Sequence, residues 1–157
     1  MIDKNLKRAN KNVKDVARVK TLTVLRRLDK DRKVTVILFL IESNLVSAPK
    51  PVISLSRADL MKADFYGANL TGADLSETYL IDSILAKVDL SKAVLRGSAL
   101  IRADLTGANL SGADLTNAIL KDANLSNCNL TGAQVTSEQL KKVKSLDGAI
   151  LPKNLIV

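Results

Sequence analysis

Histidine and tryptophan are absent from the 157-residue sequence. Losing histidine removes the commonest general base and metal ligand, and no Ser–His or Cys–His pairing can form. A single cysteine, Cys128, rules out an intramolecular disulfide and fits a reducing compartment. Two Phe and two Tyr are the only aromatic residues. A globular core of this length normally uses more, so the core is expected to be narrow and filled by aliphatic side chains. Long apolar runs are also missing. VILFLI at 36–41 is the longest, far short of the ~20 residues a membrane span needs. The opening MIDKNLKRANKN lacks the apolar stretch of a secretory signal. The expectation is a soluble cytoplasmic protein without metal, cofactor or small-molecule substrate.

Charge is present but unevenly placed. Residues 1–50 hold 13 Lys/Arg against 5 Asp/Glu, a net +8, whereas residues 51–157 hold 11 of each. The whole excess lies in the N-terminal third, which marks a composition boundary near residue 50.

Beyond that boundary the sequence repeats every five residues. Stepping from Leu60 gives Phe65, Leu70, Leu75 and so on to Leu130 and Val135, sixteen centres without a polar one. Two residues before each centre the side chain is small, Ala in eleven of the sixteen cases. One residue before it stands Asp or Asn in most repeats, and Ser, Thr, Gly or a charged residue follows. The small and large apolar positions are two apart, so both point to one side of an extended step. The residues between are turn formers. A fixed short period means stacked units that bury apolar residues against their neighbours. Four such steps close a square coil of 20 residues, and sixteen repeats make about four coils, a stack of roughly 20 Å at ~4.8 Å per layer.

The motif A-[D/N]-L-x-x over residues 53–135 resembles the pentapeptide-repeat family. That resemblance implies a mainly β fold, a right-handed quadrilateral β-helix. The segment TLTVLRRLDKDRKVTVILFLIESNLV resembles the helical leader that precedes the repeats in many cyanobacterial members. The division expected is a basic helical leader at 1–50, the repeat β-helix at 51–136 and a C-terminal cap at 137–157. Some family members mimic DNA and inhibit topoisomerases. That role needs a strongly acidic surface, and the neutral repeat region argues against it here.

Open β-helix ends expose strand edges, so terminal segments are expected to cap them. Thr136 and Gln139 have capping-box spacing, predicting a short helix from Ser137 that lays Leu140 and Val143 on the last coil. GAILP reads as one more step, out of phase. Two helices are expected in the leader. Val13, Val16, Ala17, Val24 and Leu28 form the apolar stripe of the first. Asp29 or Asp31 caps the second, whose stripe is Val34, Ile37, Leu38, Ile41 and Leu45, backed by Val36, Phe39 and Leu40. Apolar nearly all round, it should be buried; a strand over 34–41 is the alternative.

Positions 20 apart stack, so the outer faces can be compared. On the face of Leu60, Leu80, Leu100 and Leu120, the outward neighbours are Met61, Tyr79, Ile81, Ala99, Ile101 and Ile119. This is an apolar column where other faces show Asp, Asn, Ser and Thr. Ile84, Ala86 and Val94 extend it. Beside it Lys62, Asp82, Arg102 and Asp122 alternate in sign. Contiguous apolar patches usually mark an interface; the occupant is the leader itself, a second copy in a homodimer, or another protein. The basic leader offers Lys14, Arg18, Arg26, Arg27, Arg32 and Lys33 as contacts to nucleic acid or an anionic membrane, but its charges wrap the helix and lack RNA-stacking aromatics. Cys128 reads as a core filler. Asp64 with Asp104, and Asp74 with Asp114, lie two coils apart, ~9–10 Å by strand spacing, too far to share a proton. The function expected is a non-enzymatic protein-interaction scaffold.

Overall fold

A computed structural model describes residues 15–17, 19–25, 27–47, 53–153 and 155. From residue 53 the chain winds as a β-solenoid. Parallel bridges join residues 20 apart, as in Asp59 to Tyr79, Tyr79 to Ala99 and Ala99 to Ile119. Each bridge is a single residue, because a side of the coil holds only one extended step between turns. The bonding is dense all the same. Tyr79 N–H donates to Ala58 O at 2.9 Å, Leu60 N–H to Tyr79 O at 2.8 Å, and Lys62 N–H to Ile81 O at 2.9 Å.

Each corner closes with an N–H to C=O bond three residues back, such as Ala63 to Leu60 at 3.2 Å. The second residue after each centre has positive φ and the first does not, which is the type II turn pattern. Gly67, Gly72, Gly97, Gly107, Gly112 and Gly132 fill that position at no steric cost, but Arg57, Lys62, Glu77, Lys87, Lys92 and Arg102 adopt it too. The recurrent Asp or Asn braces the corner: its side-chain oxygen accepts from the N–H two residues on, as in Tyr66 to Asp64 at 2.9 Å and Thr106 to Asp104 at 3.0 Å.

The interior is a stack of leucines flanked by alanines. Leu60, Leu85, Leu90, Leu95, Leu100, Leu105, Leu110 and Leu115 are all fully buried. Where a polar residue takes the small inward position it is bonded: Thr78 to Leu55 O, Ser83 to Leu80 O and Ser98 to Leu95 O. Cys128 is buried likewise, its thiol 2.8 Å from Leu105 O.

In the leader, residues 15–17, 19–25 and 27 are helical (α1). The second helix, α2, spans Lys30–Glu42. Asp29 is its N-cap, accepting from Arg32 N–H at 2.9 Å. It ends in a Schellman turn. Leu45 N–H reaches Leu40 O and Asn44 N–H reaches Ile41 O, both at 2.9 Å, with Asn44 at φ 53°. The strand alternative at 34–41 is excluded.

Two expectations for the leader fail. The predicted stripe of α1 faces inward only in part, with Leu28 half-buried. Val16 and Val24 are exposed, while Leu25 is buried and Ala17 and Leu22 pack partly against the core; Val13 lies outside the described residues. Leu22 and Leu25 line one small cavity with Arg57, Ala58 and Asp59, so the helix is turned by what it docks on, not by its richest set of β-branched residues. Nor is α2 buried all round. Ile37, Leu40 and Ile41 are buried, but Phe39 is 62% exposed, because it shares the polar face of Asp31 and Thr35.

The leader seats on the open edge of the first coil. Ser47 Oγ donates to Asn69 O at 2.9 Å. Lys33 Nζ lies 3.6 Å from Asp59 Oδ2. At the other end a four-residue helix, α3 (Ser137–Leu140), carries the Thr136–Gln139 capping box. Gln139 also donates to Leu115 O and Ala118 O, at 2.7 and 2.8 Å. After α3 the rungs shift by one residue: Asn124 pairs with Ser145 and Asn129 with Ile150, 21 apart.

Candidate interaction surface

The bracing position just before each centre also decides the chemistry of the faces. On most corners Asp or Asn occupies it. On one face three successive rungs replace it with Tyr79, Ala99 and Ile119, bridged one above the next. Those corners forgo the side-chain brace and gain apolar surface. The position after the centre adds Met61, Ile81 and Ile101.

These six residues are not equally presented. Met61 is 45%, Tyr79 52% and Ile119 50% exposed, large values for such side chains. Ile81 and Ile101 are half-buried. Ala99, expected as an outward member, is only 9% exposed and forms a notch between Tyr79 and Ile119. The leader reaches this face at its first rung, where Lys33 pairs with Asp59, and Tyr79 and Ile119 remain exposed. Ile84, also exposed, extends the apolar surface onto the next face.

The charged ladder runs alongside. Arg102 bridges Asp82 with two bonds, Nε to Oδ1 at 2.7 Å and an Nη2 to Oδ2 at 2.8 Å. These bonds, with the charges of Arg102 and Lys62, hold the Asp82 carboxyl below the usual carboxylate value. Asp82 and Asp122 both favour the charged form of Arg102. The ladder is thus a fixed set of charges beside an apolar strip. Arg102 and Asp82 are both open to solvent, so the pair sets register more than it stabilises the fold.

Of the basic candidates, Arg27, Arg32 and Lys33 lie among the described residues. Lys33 is largely covered, 13% exposed at the side chain, and its charge is spent on Asp59. Arg32 turns back to Asp29 at 3.4 Å. Arg27 is exposed. Lys14, Arg18 and Arg26 lie outside the described residues. The two carboxylate pairs lie two rungs apart, with an apolar residue between: Ile84 bridges both Asp64 and Asp104, and Val94 both Asp74 and Asp114. Asp74 is engaged locally, accepting from Ser54 and Ser76. Among the described residues no group of Cys, Asp and Glu is placed to hold a metal ion, and no helix is long and apolar enough to cross a membrane. Burial pushes the Cys128 thiol up to about 11, far from a reactive thiolate.

Two exposed aromatics lie outside the expected column. Tyr66 is on the neighbouring face with Lys87 Nζ 5.6 Å from its ring centre. Its place after a centre was the signal for exposure. Phe39 was signalled only by its phase with Thr35 on α2.

Residues 53–76, 73–112 and 108–137 match the family described as pentapeptide repeats, in eight copies. No curated protein matches the chain. Among solved structures, the pentapeptide repeat protein Rfr23 from the cyanobacterium Cyanothece 51142 is 38% identical, with a TM-score of 0.48. That match covers 69% of this chain and 66% of Rfr23, just under two thirds of its length. The pentapeptide repeat protein alr5209 from Nostoc PCC 7120 is 33% identical over 62% of this chain and 86% of its own, with a TM-score of 0.51.

Proposed function

The chain belongs to the pentapeptide-repeat family, whose fold is a right-handed quadrilateral β-helix, and from that premise we propose that it is a non-enzymatic scaffold that binds another protein through the apolar column. The family is not a catalytic one. The observation that carries the reading is the run of Tyr79, Ala99 and Ile119 at a position that elsewhere braces the corner with Asp or Asn. Giving up local bracing on consecutive rungs is the kind of local departure that marks a functional surface. The proposed organisation is a leader at 1–50, about four coils over 51–136, and a cap at 137–157. On this reading the leader and α3 close the two open edges and keep the stack rigid. The compartment proposed is the cytoplasm, consistent with a lone buried cysteine.

The test is substitution on the full chain. Ile81→Lys with Ile101→Lys places two charges in the strip without touching the leucine stack. Partner capture from lysate of the source cells should be lost while the circular dichroism spectrum is kept. Capture that persists unchanged removes the column from the account.

A second reading rests on the +8 charge of residues 1–50, which suits nucleic acid or an anionic membrane. It requires binding that falls steeply with salt. Affinity that ignores salt excludes it.

A further inference from the structure

We propose that the occupant of the apolar column is a second copy of this chain, docked face to face with its stack running in the opposite direction. This deepens the scaffold reading and rests on it, since it names what the column binds.

The argument is one of symmetry. A two-fold axis lying in the plane of the face and crossing the stack reverses the order of the rungs. It leaves each column opposite itself. With the axis midway between the rungs of Leu80 and Leu100, residue 82 faces 102 and residue 62 faces 122. The ladder reads plus, minus, plus, minus from Lys62 through Asp82 and Arg102 to Asp122. Reversed, it reads minus, plus, minus, plus, so every facing pair has opposite sign. A two-fold along the stack instead carries the ladder to the far edge of the face, where the two ladders never meet. Charge complementarity therefore selects the antiparallel arrangement. The in-chain Asp82–Arg102 pairs would lie head to tail against their copies.

Shape agrees with charge. The same operation puts Tyr79, 52% exposed, over Ala99, a notch only 9% exposed. It does so twice, once from each copy. Ile81 meets Ile101. At the ends Met61 meets the stem of Lys121, which can lie along it, and Ile119 meets Asp59, whose charge Lys33 already balances. Tyrosine seated in a pocket is the kind of anchor that carries binding energy.

The contact is small. Four rungs at ~4.8 Å and an extended step of about three residues at ~3.3 Å give a strip roughly 20 Å tall and ~10 Å wide, about 200 Å², well below the ~800 Å² per partner of a standard interface. The dimer is accordingly weak, forming in the micromolar-to-millimolar range.

Sedimentation equilibrium of the full chain from about 10 μM to about 1 mM spans that range. Two double variants carry the test. Lys62→Glu with Arg102→Glu makes the ladder all acidic; Asp82→Lys with Asp122→Lys makes it all basic. Each alone is expected to self-associate at least about tenfold more weakly, because like charges then face each other. An equimolar mixture is expected to restore association, which misfolded variants would not do. Orientation is read with a short bismaleimide. Met61→Cys protein mixed with Lys121→Cys protein should cross-link, and Met61→Cys protein alone should not, because its two cysteines lie three rungs, ~14 Å, apart; buried Cys128 does not compete. A wild type that stays monomeric at 1 mM, variants that associate like wild type, a mixture that stays monomeric, or cross-linking of Met61→Cys with itself each overturns the proposal. Loss of lysate capture by the Ile81→Lys, Ile101→Lys protein alongside a monomeric wild type overturns the dimer while leaving the scaffold reading standing.

Discussion

Replacing Leu90 by alanine tests whether the interior is the dry, pinned stack described here. Leu90 is fully buried and sits between Leu70 and Leu110 on the face opposite the apolar column. The substitution deletes three carbons from the interior, about 2.4 kcal/mol of transfer free energy at ~0.8 kcal/mol per methylene. A cavity term adds to this if the walls stay put. They are held: Leu70 N–H bonds Asp89 O at 2.7 Å and Leu90 N–H bonds Asn109 O at 2.8 Å, so neighbouring coils cannot slide inward without breaking rungs. The expected loss is about 4 kcal/mol, in the upper part of the ~2–5 kcal/mol range of such substitutions. Equilibrium urea unfolding followed by far-ultraviolet circular dichroism measures it. Leu151→Ala, at an exposed site, serves as the control and should cost under about 1 kcal/mol. A fall in denaturant slope would signal that the stack now melts in two parts. A loss below about 1.5 kcal/mol would refute the reasoning, since only an interior that collapses freely gives so little.

Other outcomes follow from the same geometry. Gly107 has φ +68° with Lys87 Cγ 3.7 Å from where a Cβ would stand, so the space is adequate and the backbone decides; Gly107→Val should lower stability by ~1–2 kcal/mol and Gly107→Asn much less, by thermal unfolding. Cys128, its thiol raised to about 11 by burial, should resist a thiol reagent at pH 8 until the protein is unfolded. Asp82 is held below 3.8 by Arg102, and Glu138 below 4.5 by Lys141. A lowered carboxyl contributes stability above its unfolded value and loses it as pH falls through the folded one. The melting temperature should therefore hold from neutral pH to about 5 and decline below about 4, and Arg102→Gln should soften that decline.

The solenoid was legible because its period is written in every repeat. Leu60 through Val135 mark the inward centres, and Cys128 falls on the inward grid where a small residue belongs. The Thr136–Gln139 pair was readable because a capping box is local chemistry. The turn conformation was legible only where glycine sits. Nothing about Arg57, Lys87 or Lys92 signals a positive φ; the hydrogen-bonded rungs above and below impose it. The leader was misread where tertiary docking decides. Counting apolar residues on α1 selects Val16 and Val24, yet docking beside Ala58 and Asp59 turns Leu22 and Leu25 inward. Its net charge likewise hides that Lys33 is engaged with Asp59. The column could be found by stepping through the sequence in twenties, but the notch at Ala99 depends on how far its neighbours project.

Hydroxyl-radical footprinting of the full chain, free and in its assembled state, tests the column most directly. Met61 and Tyr79 are reactive side chains within it, and Tyr66 and Phe39 are exposed reactive side chains outside it. The account predicts protection of Met61 and Tyr79 on assembly with Tyr66 and Phe39 unchanged. Protection of Tyr66 or Phe39 with Met61 and Tyr79 still reactive would contradict it.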